Sequence, residues 1–332
     1  MIRHAALGAV AIFVGLPGVV AAHGVAPEPA SVSAVLLAWS IEAHVLLPLL
    51  GLLLIYAWAV REVDRAHPDN PVPRFRSIAW YSGLAVLFVA LCSPIATYDT
   101  TLFSAHMVQH LLMTMVAAPL LAIGAPITLL LRVSSPATRR RWILPVLHSW
   151  PVRIISFPVV TWVIFAAVMW ASHFSPLFDA ALENEAVHLL EHALFLGAAL
   201  LFWWPIVGAD PSPWRMPHAV RLGYLLIGLP FSSFLGLVIF SAPGVLYAHY
   251  ATLVRSWGPT PLEDQQLAGG IMWAGGDLLF LFSLILALWV WLRAEEVEGR
   301  RADAKLDREA ATAARLAAKQ PTAASLLPPP SD

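Results

Sequence analysis

Long apolar runs alternate with short polar or proline-rich stretches along most of this chain. Runs of about twenty apolar residues, enough for a helix to cross a hydrocarbon layer, fall at roughly 32–60, 76–97, 103–131, 154–173, 186–208, 220–241 and 266–292. The pattern predicts an all-α polytopic membrane protein, a bundle of seven transmembrane helices. Ahead of the first run, Met1 to Ala22 has a basic start at Arg3, an apolar middle and the small-residue ending Val20, Ala21, Ala22. That is the pattern of a secretory signal peptide, whose cleavage would leave His23 first. The expected organisation is a signal peptide over 1–22, a seven-helix membrane domain over 23–293 and a cytoplasmic charged tail over 294–332. The tail is Ala-rich, ends in "LLPPPSD" and is expected to be partly disordered.

Loop charges orient the spans. Arg61, Arg65, Arg74 and Arg76 follow the first span; Arg132, Arg139, Arg140, Arg141 and Arg153 the third; Arg215 and Arg221 the fifth. The tail carries Arg293, Arg300, Arg301, Lys305, Arg308, Arg315 and Lys319, whereas the alternate loops hold only Arg255. By the positive-inside rule the odd-numbered spans end in the cytoplasm, so the mature N-terminus lies outside and the C-terminus inside. Composition agrees with a lipid environment: 59% of the 332 residues are hydrophobic and 12% charged, against about 25% charged in soluble domains. A net charge of −1 excludes the basic field that a nucleic-acid binder needs. The single cysteine, Cys92, provides no disulfide framework and no thiolate cluster. Metal chemistry here must rest on histidine, carboxylate or methionine.

Orientation turns twelve histidines into a pattern. His67, His148 and His218 fall in cytoplasmic loops and His4 in the signal, but His23, His44, His106, His110, His173, His188, His192 and His249 fall in or near the outer half of the membrane. "HMVQH" (His106, His110) opens the third span and "HLLEH" (His188, His192) the fifth. Residues i and i+4 share one helical face about a turn apart, so each pair can present two imidazoles to one ion, the spacing of helical zinc motifs. Ionisable groups inside a membrane mark function by default. His44, somewhat deeper in the first span, is a fifth candidate from a third helix.

The donor types narrow the ligand without naming it. Imidazole clusters suit copper and zinc better than hard, oxygen-preferring ions. Haem needs axial ligands on opposite sides of its ring, which one helical face cannot supply, although one histidine from each pair can. Met107, between the first pair, and Met113, Met115 and Met272 are thioether candidates for reduced copper, against an ordinary packing role. Glu191 turns the second pair into H-x-x-E-H, formally an inverted zinc-hydrolase motif, but a partner that orients an imidazole fits a membrane bundle better than a general base. Glu42 and Asp277 are costly in lipid. Asp99, Asp179, Glu183, Glu185, Glu263 and Asp264 are expected as solvated acids in outer loops, an acidic mouth that would concentrate cations. The glycines at 269–270 and 275–276, with Gly124, suit close helix contact or a local break.

Three strings, "HMVQHLLMTMVAAPLLAIGAP", "EAVHLLEHALFLGAALLFWWPI" and "EDQQLAGGIMW", resemble the CtaG-type cytochrome c oxidase assembly factor family of multi-span bacterial membrane proteins. The resemblance runs from about residue 35 to 293, with the motifs in the family's order. It implies a seven-helix inner-membrane protein that helps produce active haem-copper oxidase by handling copper, without catalytic turnover. The expected partners are oxidase subunits or a periplasmic copper chaperone. The family's histidines correspond to His106, His110, His188 and His192, with Asp264 and Gln265 in the last motif. An unrelated single-span, cysteine-using copper chaperone shares the family's name, and its mechanism does not apply to a chain with one cysteine. The rival expectations are a haem-binding electron-transfer or copper-reductase protein, a metal transporter and a membrane metallohydrolase. The inner halves of the spans, nearly bare of polar groups apart from Asp277, count against transport.

Overall fold

Segments that are apolar on every face have one stable form in lipid other than a closed barrel, a helix that satisfies its backbone internally. The computed structural model describes residues 31–319, and it is helical with no strand among those residues. The expected signal peptide, His23 and the last thirteen residues, 320–332, lie outside the described residues. The main helices are α1 (Ala43–Ala66), α2 (Arg74–Tyr98), α3 (Phe103–Val133), α4 (Pro158–His173), α5 (Leu177–Glu183), α6 (Glu185–Val207), α7 (His218–Ser241) and α8 (Pro261–Leu316). Six of them are long and apolar enough to cross a membrane, and α4 with α5, bent by 67°, makes a seventh when the two are taken together.

Three boundaries differ from the sequence pattern. The first run is divided: Val32–Leu37 is a separate short helix, and the long helix starts at Ala43 after an extended Glu42. The fourth run is shortened, because α4 has 16 residues, about 24 Å at 1.5 Å per residue and short of a 30 Å layer. The last helix starts earlier, where Thr260 and Glu263 form a reciprocal capping box, and continues without interruption from Gly276 to Lys319. Ala, Glu, Arg and Leu are good helix formers, and they carry it past the end of the apolar run.

The described residues divide into two compact units at Phe282 and Ser283. In the first, α3 is the hub: it packs against α1, α2, α6 and the first turns of α8. Its path is irregular. A helical start, Phe103–Leu111, passes into a π-helical turn, Leu112–Ala117, then Ala118–Ile123, and breaks before restarting at Pro126. Ala125 adopts left-handed backbone at φ 51°, an uncommon conformation for a residue with a Cβ. Gly124 accepts a hydrogen bond from the Tyr56 hydroxyl at 2.9 Å and lies against Trp80, on which Tyr56 stacks. The restarted helix is capped from another loop: Asp210 accepts the backbone N–H groups of Ile127 (3.1 Å) and Thr128 (2.6 Å). An apolar cluster that includes Tyr56, Trp80, Leu87, Met113 and Leu121 fills the space among α1, α2 and α3. Large side chains such as Leu54, Trp58, Phe234 and Leu278 stay exposed, as a lipid-facing surface requires.

The glycine expectation is met between α7 and α8. A Cβ on Gly269 would lie 2.5 Å from the Phe240 nitrogen, and one on Gly236 would lie 2.7 Å from the Trp273 nitrogen. The two helices meet backbone to backbone, the contact that small residues permit in membranes. In the second unit, residues 283–319 form an exposed helix with Glu296–Arg300 and Lys305–Glu309 pairs one turn apart, each contributing little to stability.

Gly269→Ala is expected to destabilise the bundle by about 1–3 kcal/mol, because backbone must move to admit the methyl. Thermal unfolding in detergent reads this directly. Gly197→Ala, where a Cβ meets nothing within 4 Å, is the matched control and should leave the transition unchanged.

Candidate metal centre

The first helix of the centre is held from outside itself. The opening N–H groups of a helix have no intrahelical acceptor, and in α3 Asp264 provides one. Its Oδ2 accepts the Phe103 N–H at 2.7 Å, and its Oδ1 accepts the Ser104 N–H at 3.3 Å and the Ser104 hydroxyl at 2.5 Å. Arg255 lies 4.0 Å from the same carboxylate. Asp264 is therefore not a solvated loop acid: it is buried at 1% exposure, because its lone pairs anchor a neighbouring helix. Gln265 acts beside it by accepting the Leu246 N–H at 2.7 Å and donating to the Gly244 carbonyl at 3.1 Å, which holds the segment between α7 and α8.

So anchored, α3 turns His106 and His110 toward His188 and His192 on α6. Within each helix the rings lie one turn apart, tilted to each other, at 4.2 Å between centroids. Across the helices His106 faces His188 at 5.6 Å, nearly parallel, and His110 approaches His192 at 5.9 Å. Two carboxylates enter this square. Glu191 Oε2 is 3.8 Å from His106 Nε2, and Asp99 Oδ2 is 3.8 Å from His188 Nε2. Two triads result, each with its ligand atoms all within 4.8 Å of one another: His106, His188 and Glu191, and Asp99, His188 and His192. Both nitrogens of His106 and His110 and both oxygens of Glu191 are buried without a hydrogen-bond partner. Leaving one buried polar group unsatisfied costs about 1–3 kcal/mol, and more if it is charged. A concentration of them at one point needs a compensating occupant or function.

Residues 54–294 match the family described as cytochrome c oxidase caa3 assembly factor. The chain belongs to that family. It is 30% identical over 290 residues to an uncharacterized protein of Mycobacterium bovis, an alignment that takes in 85% of this chain and 44% of the relative. An uncharacterized protein of Mycobacterium leprae is 28% identical over 288 residues, with 85% of this chain and 43% of the relative covered. The chain thus spans less than half the length of these curated relatives. No solved structure matches it. The resemblance carried by the three strings is borne out over most of the range that it covered.

In this chain several residues hold the centre that spacing alone did not single out. Asp99, expected as a solvated acid, is buried at 3% exposure. Its backbone carbonyl accepts the Tyr250 hydroxyl at 2.6 Å, and the His249 Nε2–H donates to the next carbonyl, Thr100, at 2.8 Å. His249 is thereby a positioning residue whose ring nitrogen is spoken for. Burial pushes the Asp99 carboxyl up to about 7, against the downward pull of hydrogen bonds from the Gln109 side chain and the Thr100 backbone. Gln109, the fourth residue of "HMVQH", accepts the His192 Nε2–H at 3.1 Å and donates to the Ala90 carbonyl at 3.0 Å, which ties both helices to α2. His173 ends α4 at the bend. Its Nδ1–H donates to the Met169 carbonyl at 2.7 Å, leaving Nε2 buried and unpartnered. It lies against Phe178 and Phe195, which also pack on His106 and His110 respectively. Only the position of each beside a span end hinted at these roles.

The remaining candidates go elsewhere. His44 sits with Glu42 (3.2 Å) and Glu185 (3.8 Å), a separate, partly exposed group about one turn before His188 along α6. His110 adjoins the triads but falls in neither. Met107 is buried, Met113 belongs to the apolar cluster, and Met272 lines an apolar cavity with Trp162 and Phe165. Asp277 accepts the Ser233 hydroxyl at 2.5 Å between α7 and α8. The π-helical turn after His110 is supported by Trp203, whose indole N–H donates to the Thr114 carbonyl at 2.8 Å.

Asp264→Ala removes three hydrogen bonds to a carboxylate, and a loss of about 1.5–3 kcal/mol is expected, with a smaller loss for Asp264→Asn, which keeps one acceptor. Thermal unfolding of the two variants beside wild type measures both.

Proposed function

We propose that this chain supports maturation of a haem-copper cytochrome c oxidase by holding a copper ion between α3 and α6. The observation that carries the reading is the set of buried, partnerless donors on His106, His110 and Glu191, facing His188 and His192 across a helix pair. The donors fit such an ion: imidazoles with one carboxylate per triad suit copper or zinc, and a bound cation would satisfy the groups that the apolar bundle leaves bare. Bound there, the ion would be cargo to be passed to oxidase subunits or a periplasmic copper chaperone, and the role is binding and delivery without turnover. Ring packing supports an ion over haem: rings that meet at 4.2–5.9 Å across and along the helices leave little room for a porphyrin plane between axial ligands.

The arginine-rich loops set the orientation of this reading. With Arg61, Arg65, Arg132 and Arg139 to Arg141 at the cytoplasmic face of the bacterial inner membrane, the histidine end of α3 and α6 faces the periplasm. The charged tail then lies in the cytoplasm.

The test pairs metal analysis with a visible spectrum on tag-free protein. About one copper per chain and no Soret band are expected for wild type, and at least tenfold less copper for His106→Ala/His188→Ala. The same variant should fail to restore oxidase activity in a strain that lacks the native protein. A haem spectrum, or a copper-free wild type whose double variant still matures the oxidase, would overturn the reading.

A further inference from the structure

We infer that the centre offers a single divalent ion two adjoining positions that share His188, so that the ion changes place by exchanging one carboxylate and one imidazole for another pair. This rests on the reading above that the centre holds an ion. The geometry carries the rest. Asp99, His188 and His192 form one triad, and His106, His188 and Glu191 form the other, with the ligand atoms of each within 4.8 Å. Each has two imidazoles and one carboxylate. An ion that moves between them keeps its donor set and its net ligand charge, which makes the two positions close in free energy. The shared His188 and the repulsion between two dications at such short range favour one ion at a time.

The positions differ in access. The side chains of Asp99 and His188 are 5% and 9% exposed and His192 is half-buried, whereas those of His106 and Glu191 are both 0% exposed. The Asp99 position is the one that an incoming or departing ion meets, and the Glu191 position is sealed. Mixed nitrogen and oxygen donors select a divalent ion of the copper or zinc type rather than the reduced, thioether-preferring state of copper. Met113 and Met272, which pack in apolar surroundings, agree with that choice.

The experiment titrates metal-free, full-length protein in detergent with Co²⁺, whose visible bands report ligand geometry. Wild type should bind one ion per chain. Asp99→Asn and Glu191→Gln should each still bind one, only about twofold more weakly because the other position is intact, with two distinct spectra whose weighted sum reproduces that of wild type. Asp99→Asn/Glu191→Gln should lose binding by at least a further tenfold. Two ions per wild-type chain would overturn the proposal, as would one carboxylate variant that abolishes binding while the other leaves it unchanged; in either case the ion-binding reading stands. A wild type that takes up no Co²⁺ and no Cu²⁺ overturns both. If a variant loses its helicity, the wild-type spectrum decides: two exchanging positions give isosbestic points on changing temperature, and their absence counts against the exchange.

Discussion

In a hydrocarbon environment no water is at hand to satisfy a polar group, and every donor and acceptor in this bundle must find its partner inside the protein. Most do, and two aspartates show how. Asp264 caps the start of α3 and Asp210 caps its restart after the break at Ala125, each from a different part of the chain. A helix that begins or breaks within a membrane protein exposes N–H groups that only another segment can meet. α3 is therefore fixed at both of its vulnerable points by tertiary contacts, and its packing against four other helices follows from that central place.

Set against that economy of partners, the centre stands out because its groups do not comply. His106, His110 and Glu191 are as deeply buried as the apolar core around them and have no hydrogen-bond partner. Several surrounding residues have their hydrogen bonds made and act to keep the unsatisfied ones in place. Gln109 bridges His192 to α2; Tyr250 and His249 hold the turn that carries Asp99; Trp203 takes up a carbonyl at the π-helical turn. Hydrogen-bonded neighbours that hold bare donors in place are what a metal site with oriented ligands requires.

Part of this centre was legible in the chain. The i, i+4 spacing of "HMVQH" and "HLLEH" determines that each pair shares a face, because helix geometry is the same wherever a helix forms. The three strings were enough to reveal the family. The carboxylates were harder to read. Asp99 and Asp264 both follow or precede a span, where a solvated acid is the ordinary expectation, and nothing local distinguishes them from Asp179 or Glu183. Their burial depends on which loops fold over the end of the bundle. Likewise His44, somewhat deeper in its span, was within reach of the paired histidines by sequence position, yet its ring is turned to Glu42 and Glu185.

By itself, then, the order of residues determined that the chain crosses a membrane as helices and that two histidine pairs lie on two helical faces. These follow from hydropathy and helical periodicity, which are local properties. Tertiary structure alone decided that the two faces meet, that Glu191 and Asp99 join them in separate triads, that α4 stops short and bends into α5, and that the start of α3 is tied down by an aspartate about 160 residues away along the chain. The physical reason is that burial and partnership of polar side chains are settled by packing between distant segments, for which the local pattern carries no signal.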